Sequence, residues 1–272
     1  MERLTVSRRI ALVASAALVG LAACSGGPTT VETPGGFTVE LVDPEHLTTC
    51  TTLPYAPFQF QDGDTIVGFD VDIVDLVADR LGLPQKIVDI RFDSIKSGAA
   101  LSGGSCDLAA AGMTITPERS QYLTFSDPYF DEVLAFMVPK GTDVETIDDV
   151  VDQGLTLGVQ AATTSLDHAT EQGLDPEQYE GAAKELQALQ SGTVDVVLQD
   201  LPVINQWLDD DTVAAEFELG GIVRTGAQYG IGLRKDADPT LVDLVNEVLA
   251  DAHADGSYDD IHRRWFGTEP PT

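Results

Sequence analysis

Apolar residues recur along this chain at two spacings, every second position and every third to fourth, and the two alternate from residue 46 onward. Residues 46–52 predict a strand, and Asp62-Gly63 marks a tight turn between short strands at 58–60 and 65–67. From Asp70, a candidate N-cap, Ile73, Leu76, Val77 and Leu81 fall on one helical stripe that Gly82 and Pro84 close. A strand over 86–92, a short helix to residue 101 and a strand over 107–111 complete a βαβ rhythm. The apolar run 133–138 leaves that unit, and the rhythm restarts with a helix over 146–151 and a strand over 155–159. Ser165 offers a cap for the next helix, residues 182–189 are helical, 193–198 extended, and Gln199-Asp-Leu-Pro202 opens another helix. A strand over 229–234 precedes a long amphipathic helix that Pro239 opens and Gly256 ends, and a last helix reaches Trp265. The pattern implies an α/β protein with two units.

The N-terminus sets the compartment. Arg3, Arg8 and Arg9 precede an apolar run over 10–21 that is short for a membrane span and has the layout of a secretory signal. Leu21-Ala22-Ala23-Cys24 resembles a bacterial lipobox, which predicts a signal peptide over 1–23 and a diacylglyceryl group on the Cys24 sulfur. An ordinary secretion signal with an incidental cysteine is the competing reading, and Ser7-Arg8-Arg9 leaves the Sec and twin-arginine routes both open. Residues 24–36, rich in Gly, Pro and Thr, read as a flexible tether, so folding is expected from Phe37. The expected location is the outer face of the bacterial cell membrane, held by lipid.

Charge narrows the partners. The net charge of −30 excludes nucleic acid as a reasonable ligand, and the acidic residues are dispersed over helix faces instead of forming one block. Besides Cys24 only Cys50 and Cys106 remain, an even pair suited to a disulfide in an oxidising compartment. Their places on strands expected to run parallel leave that bridge open, because the Cα atoms must approach within about 7 Å. The four histidines show no ligand spacing, so neither a metal nor another cofactor is expected.

The densest candidate chemistry is Gly112-Met-Thr-Ile-Thr-Pro-Glu-Arg-Ser120. Arg119 there offers a planar fork of donors to a small carboxylate, with Thr114, Thr116 and the amides of a helix expected to start at Pro117 beside it. A solvated surface arginine is the plainer alternative.

That motif is similar to the signature of the family 3 extracellular solute-binding proteins, which capture polar amino acids for ABC importers. The likeness extends through Tyr55-Ala-Pro-Phe58, Val67-Gly-Phe-Asp-Val-Asp72, Phe125-Ser-Asp-Pro-Tyr-Phe130, Leu157-Gly-Val-Gln160, Val194-Asp-Val-Val-Leu-Gln-Asp200, Gln228-Tyr-Gly230 and Trp265-Phe-Gly267, in that order. It implies a two-lobed type II periplasmic-binding-protein fold, each lobe a mixed sheet flanked by helices, joined by two hinge strands. Lobe 1 would comprise 37–131 and 229–272, and lobe 2 would comprise 132–228.

By resemblance, Arg119 clamps a ligand α-carboxylate with Thr114 and the Gly112 backbone, and Asp200 receives the α-ammonium. Asp200 also fits a plain N-cap before Pro202. Tyr55 and Phe92 match aromatic positions around the ligand side chain, with core packing the alternative for Phe92. Between Phe92 and Leu101 the chain is two residues longer than in glutamine-binding members, which leaves open whether Phe92 keeps that position. Thr163 and Thr164 match donors near the carboxylate, with Gln160 and Gln199 flanking them. Thr52 stands where basic- and glutamine-binding relatives often carry an aspartate, which argues against a lysine or arginine ligand. The function implied is a monomeric, lipid-anchored receptor that hands a polar L-amino acid to ABC permease subunits. A cyclohexadienyl or arogenate dehydratase on the same fold is the rival, and it lacks an obvious general acid beyond Asp200.

Overall fold

The computed structural model describes residues 28–271. The signal peptide and Cys24 lie outside the described residues. The first elements are β1 (Thr29–Glu32) and β2 (Thr38–Leu41), an antiparallel pair in the register Thr29 with Leu41 and Glu32 with Thr38. Part of the expected tether is therefore folded. Its Pro34-Gly35-Gly36 segment is the hairpin turn, where Gly36 N donates to Thr33 O at 2.8 Å and Gly35 N to Leu81 O at 2.8 Å.

Next come β3 (Leu47–Thr51), the hairpin of β4 (Phe60–Asp62) and β5 (Thr65–Val67), α1 (Phe69–Leu81) and β6 (Gln85–Asp89). Two short helices, α2 (Phe92–Lys96) and α3 (Ala99–Ser102), precede β7 (Leu108–Ala109), β8 (Leu123–Phe125) and β9 (Phe130–Asp131). The second half holds β10 (Leu134–Pro139), α4 (Ile147–Asp152), β11 (Leu157–Gln160), α5 (Thr164–Glu171), β12 (Glu177–Tyr179) and α6 (Ala182–Gln190). Then follow β13 (Val196–Asp200), α7 (Leu201–Leu208), α8 (Asp211–Glu216), β14 (Phe217–Val223), β15 (Gln228–Tyr229), β16 (Gly232–Arg234), α9 (Pro239–Asp255) and α10 (Ser257–Phe266).

These strands build two five-stranded mixed sheets of the same design. The first has the order β6-β3-β7-β16-β8 and the second β12-β11-β13-β10-β14. In each, four strands run in one direction and the fourth in the row, β16 or β10, runs against them. Between the sheets the chain passes twice, and the two passages pair as β9 with β15, Gln228 opposite Asp131 and Tyr229 opposite Phe130. On its return the chain inserts β16 between β7 and β8, so the first lobe is made from both ends of the chain.

Burial explains the apolar patterns. In β10, Leu134, Phe136 and Val138 enter one core cluster while Ala135 and Met137 enter another on the opposite face. A strand covered on both faces has no polar side, hence its uninterrupted apolar run. In the first sheet Leu108 and Ala109 likewise divide between two clusters. Cys50 and Cys106 are bridged across neighbouring strands, with Cα atoms 5.6 Å apart. The parallel arrangement thus permits the link, because Cys106 precedes β7 and is not one of its ladder residues.

Asp70 does not cap α1. Gly68 occupies the N-cap with φ 142°, where a Cβ would lie 2.1 Å from the Phe58 carbonyl oxygen, so only glycine fits. Asp70 sits inside the first turn, buried, and accepts from Gly112 N at 2.7 Å and from the Tyr129 hydroxyl at 2.8 Å. Burial pushes its carboxyl from the ordinary 3.8 up to about 7, against the lowering effect of those two bonds.

Between those two values the folded state holds a proton that the unfolded chain releases, so this group's contribution is full in acid and falls as pH rises from about 4 through 7. Asp70→Asn keeps both bonds, with Oδ1 accepting from Gly112 and Nδ2 donating to Tyr129. Urea unfolding is expected to show equal stability near pH 4 and a more stable variant at pH 8, by up to roughly 4 kcal/mol. A parallel pH response of both proteins would place the titration elsewhere.

Candidate ligand-binding site

A tightly closed cleft lies between the two lobes. Thr52, Tyr55, Phe92, Gly112, Thr114 and Arg119 line it from the first lobe, and Gln160, Thr163, Thr164, Gln199 and Asp200 from the second. The residues assigned ligand contacts by the resemblance therefore meet in one place, whereas Thr116 does not line the cleft and its hydroxyl accepts from Arg119 N at 3.1 Å. Gln59, Ala111 and Ser165 also line it and were not anticipated. A wider groove runs beside the crossover strands, but its charged residues Asp131, Asp209, Arg224 and Glu269 are all exposed.

Arg119 is only 3 % exposed. Its Nη1 donates to Thr114 O at 2.9 Å and its Nη2 to Ala162 O at 3.2 Å, two carbonyls on opposite lobes. No carboxylate pairs with it among the described residues. Burial lowers its proton affinity from the ordinary arginine value, while the charges of Asp167, Glu132 and Asp200 act in the other direction. The Phe92 ring lies 5.3 Å from the guanidinium carbon, a cation–π contact. Phe92 is thus not displaced, because α2 starts on it and buries it against Ile95 and Cys50 while one face meets the cleft.

The helix start expected at Pro117 is absent. Only a three-residue 3₁₀ turn, Arg119–Gln121, forms there. The helix N-terminus at the cleft is that of α5 from the other lobe, capped by Thr163 and not by Ser165, which is buried inside the first turn. The Thr163 hydroxyl accepts from Leu166 N and donates to Gln160 O at 2.7 Å. First-turn amides of a helix lack intrahelical acceptors and favour negative charge beside them. Just before this helix, Ala162 adopts φ 68° and turns its carbonyl to Arg119.

Asp200 occupies the N-cap position of α7, yet its side chain makes no capping bond. It is buried instead, accepts the Tyr55 hydroxyl from the facing lobe, and leaves Oδ1 without a partner. Burial first, then the neighbouring Glu132 charge, push its carboxyl up to about 7. The same Tyr55 hydroxyl lies 2.8 Å from Gln199 Oε1, so contacts at Tyr55 and Arg119 hold the lobes closed on each other.

The expected donors are committed within the protein: Gly112 N donates to Asp70, the Thr114 and Thr164 hydroxyls to Glu132 and the Thr163 hydroxyl to Gln160 O, and the Thr52 hydroxyl donates to Ile90 O. Glu132, between β9 and β10, escaped sequence reasoning because nothing distinguishes it from the surrounding acidic residues. Buried at the crossover, it accepts hydroxyls from Thr114 at 2.5 Å, Thr164 at 2.7 Å and Thr225 at 2.7 Å, one from each lobe and one from the return passage. Glu185 was also missed, although it interrupts the buried stripe Ala182, Ala188 and Leu189 of α6.

Comparison with known proteins agrees with this geometry. Residues 47–268 match the family of bacterial extracellular solute-binding proteins, family 3. The arginine-binding extracellular protein ArtP of Bacillus subtilis is 27% identical over 80% of this chain and 85% of its own. The glutamine-binding protein GlnH of the same organism is 29% identical over 75% of this chain and 74% of its own. Among solved structures, an ancestral arginine-binding protein bound to glutamine superposes with a TM-score of 0.76, at 34% identity, over 82% of this chain and 99% of that one.

Proposed function

Because the chain belongs to the bacterial extracellular solute-binding proteins of family 3, we propose that it is the lipid-anchored substrate-binding component of an amino-acid ABC importer, closing on one polar L-amino acid. Members of this family are binding proteins, not enzymes, and work outside the cytoplasm. The supporting observation is a pair of buried opposite charges, Arg119 and Asp200, that face one cleft from different lobes and have no ionic partner among the described residues. A buried charge of this kind is strongly unfavourable until a counter-charge and hydrogen bonds meet it. A zwitterion supplies both ends together. Its carboxylate fits between Arg119 and the opening turn of α5, and its ammonium fits Asp200 Oδ1 and the oxygens beside it.

Closure follows from the same contacts. A ligand that touches Arg119 on one lobe and Asp200 on the other stabilises the closed arrangement through bonds that separated lobes lack. Relatives named for arginine and glutamine support an amino-acid ligand. Cys24 would carry the anchor, and the protein would act as a monomer facing the permease.

Arg119→Ala and Asp200→Ala are each expected to weaken amino-acid binding in calorimetry by a factor on the order of a hundred or more, with the fold retained by circular dichroism. Tight binding by either variant would remove that residue from the site. With the free Asp200 carboxyl near 7 and the ammonium requiring its ionised form, affinity is expected to fall about tenfold from pH 8 to pH 6. Asp200→Asn should abolish that dependence. Mass spectrometry of membrane-extracted protein should find the lipid on Cys24, and an unmodified mature N-terminus would refute the anchor.

A further inference from the structure

Two of the contacts between the lobes use groups that a ligand must claim for itself. The Tyr55 hydroxyl meets Asp200, and Arg119 Nη2 meets Ala162 O. A third contact leaves those groups free. Glu132, only 3 % exposed, is absent from the cleft wall, yet its carboxyl holds the hydroxyls of two residues that do line the cleft, Thr114 and Thr164.

That carboxyl gathers the parts of the molecule that move against one another. Oε1 accepts from Thr114 at 2.5 Å and from Thr164 at 2.7 Å, while Oε2 accepts from Thr225 at 2.7 Å. Thr114 is fixed in the first lobe, where it bridges to Tyr229 and the next residue, Ile115, donates its N–H to Gln228 O at 2.8 Å. Thr164 opens α5 in the second lobe. Thr225 lies on the return passage between β14 and β15, and Glu132 N donates to Ala227 O of the same passage at 2.9 Å. No lysine, arginine or histidine forms an ion pair with Glu132 among the described residues. Hydroxyls from opposite lobes thus end on one oxygen, Oε1. Separating the lobes must remove one of them, and a buried oxygen that loses its donor is unfavourable.

We infer that Glu132 is a latch: it shifts the lobes toward the closed arrangement before a ligand arrives, and so sets affinity without touching the ligand. The inference rests on the amino-acid reading above and adds a control on that site. Because the carboxyl stands outside the cleft, its bonds persist when the cleft is filled. An interaction present in the closed state with or without ligand favours every ligand by one factor, whereas a contact residue favours some ligands over others. Uniformity is therefore the signature of the latch.

Glu132→Leu removes all three acceptor contacts. Glu132→Gln removes only the charge, keeping Oε1 for Thr114 and Thr164 and turning Nε2 to the Thr225 hydroxyl, which can accept. Hydrogen–deuterium exchange on the full chain without ligand is expected to be on the order of tenfold faster in Glu132→Leu over the cleft segments 112–119 and 160–166, and close to native in Glu132→Gln. In calorimetry and stopped-flow measurements, each amino acid that the native protein binds is expected to bind Glu132→Leu about tenfold more weakly, by the same factor for all and mainly through faster dissociation. If Glu132→Leu does not fold, Glu132→Asp, which keeps the charge but is one methylene too short to hold the three hydroxyls together, replaces it in both measurements. Native exchange in folded Glu132→Leu, or in Glu132→Asp where it stands in, would overturn the latch. Exchange in Glu132→Gln as fast as in Glu132→Leu would overturn it too, by assigning the effect to charge. A loss that reorders the ligands would make Glu132 a contact residue and reject the latch. Binding of none of the twenty common amino acids by the native protein would overturn the functional reading beneath, while the exchange comparison, made without ligand, still decides the latch.

Discussion

A guanidinium and a carboxylate, each withdrawn from water and each lacking an ionic partner among the described residues, face the same narrow space from separate halves of the molecule. Much of the surrounding structure exists to tolerate this. Arg119 rests on two backbone carbonyls and an aromatic face, and Asp200 keeps a tyrosine hydroxyl. These contacts lessen the penalty of burial without cancelling either charge. Such a site is poorly satisfied alone and well satisfied by a small molecule with two opposite ends.

The crossover strands give this chemistry its mechanical form. Because β9 and β15 are the paired passages between the sheets, relative motion of the lobes concentrates there. Glu132 stands at the end of one passage with hydroxyls from both lobes and from the other passage around it. One buried carboxylate thereby ties the closed arrangement together at the point where it bends.

Apolar spacing made most of the architecture legible. The stripe of α1, the doubly covered β10 and the long α9 follow from periodicity because burial dictates periodicity. Element ends were harder. Gly68 displaced Asp70 as the cap of α1, and Thr163 displaced Ser165 at α5, because backbone clash and cap geometry are invisible in residue type alone. Arg119 and Asp200 were legible through the resemblance of their motifs. Asp70, Glu132 and Glu185 were not, since their meaning lies in partners brought together by folding: Gly112 is 42 positions from Asp70, and Thr225 is 93 from Glu132. Only Glu185 left a trace, as a charge on a stripe that should be apolar. The tether was misread because Thr29–Glu32 pairs with a strand whose own residues Val39 and Leu41 are fully buried.

That N-terminal hairpin has a geometric consequence for a protein held at a membrane. It is docked on the first lobe, with Gly35 bonded to the end of α1 and β2 packed near α9. With Cys24 as the attachment point proposed above, five residue steps separate the lipid from Thr29, a leash of roughly 17 Å at full stretch. The first lobe would then ride close to the bilayer as the stationary half, while the second swings. Capture of a solute would be felt by a neighbouring permease as movement of the distal lobe against a fixed base.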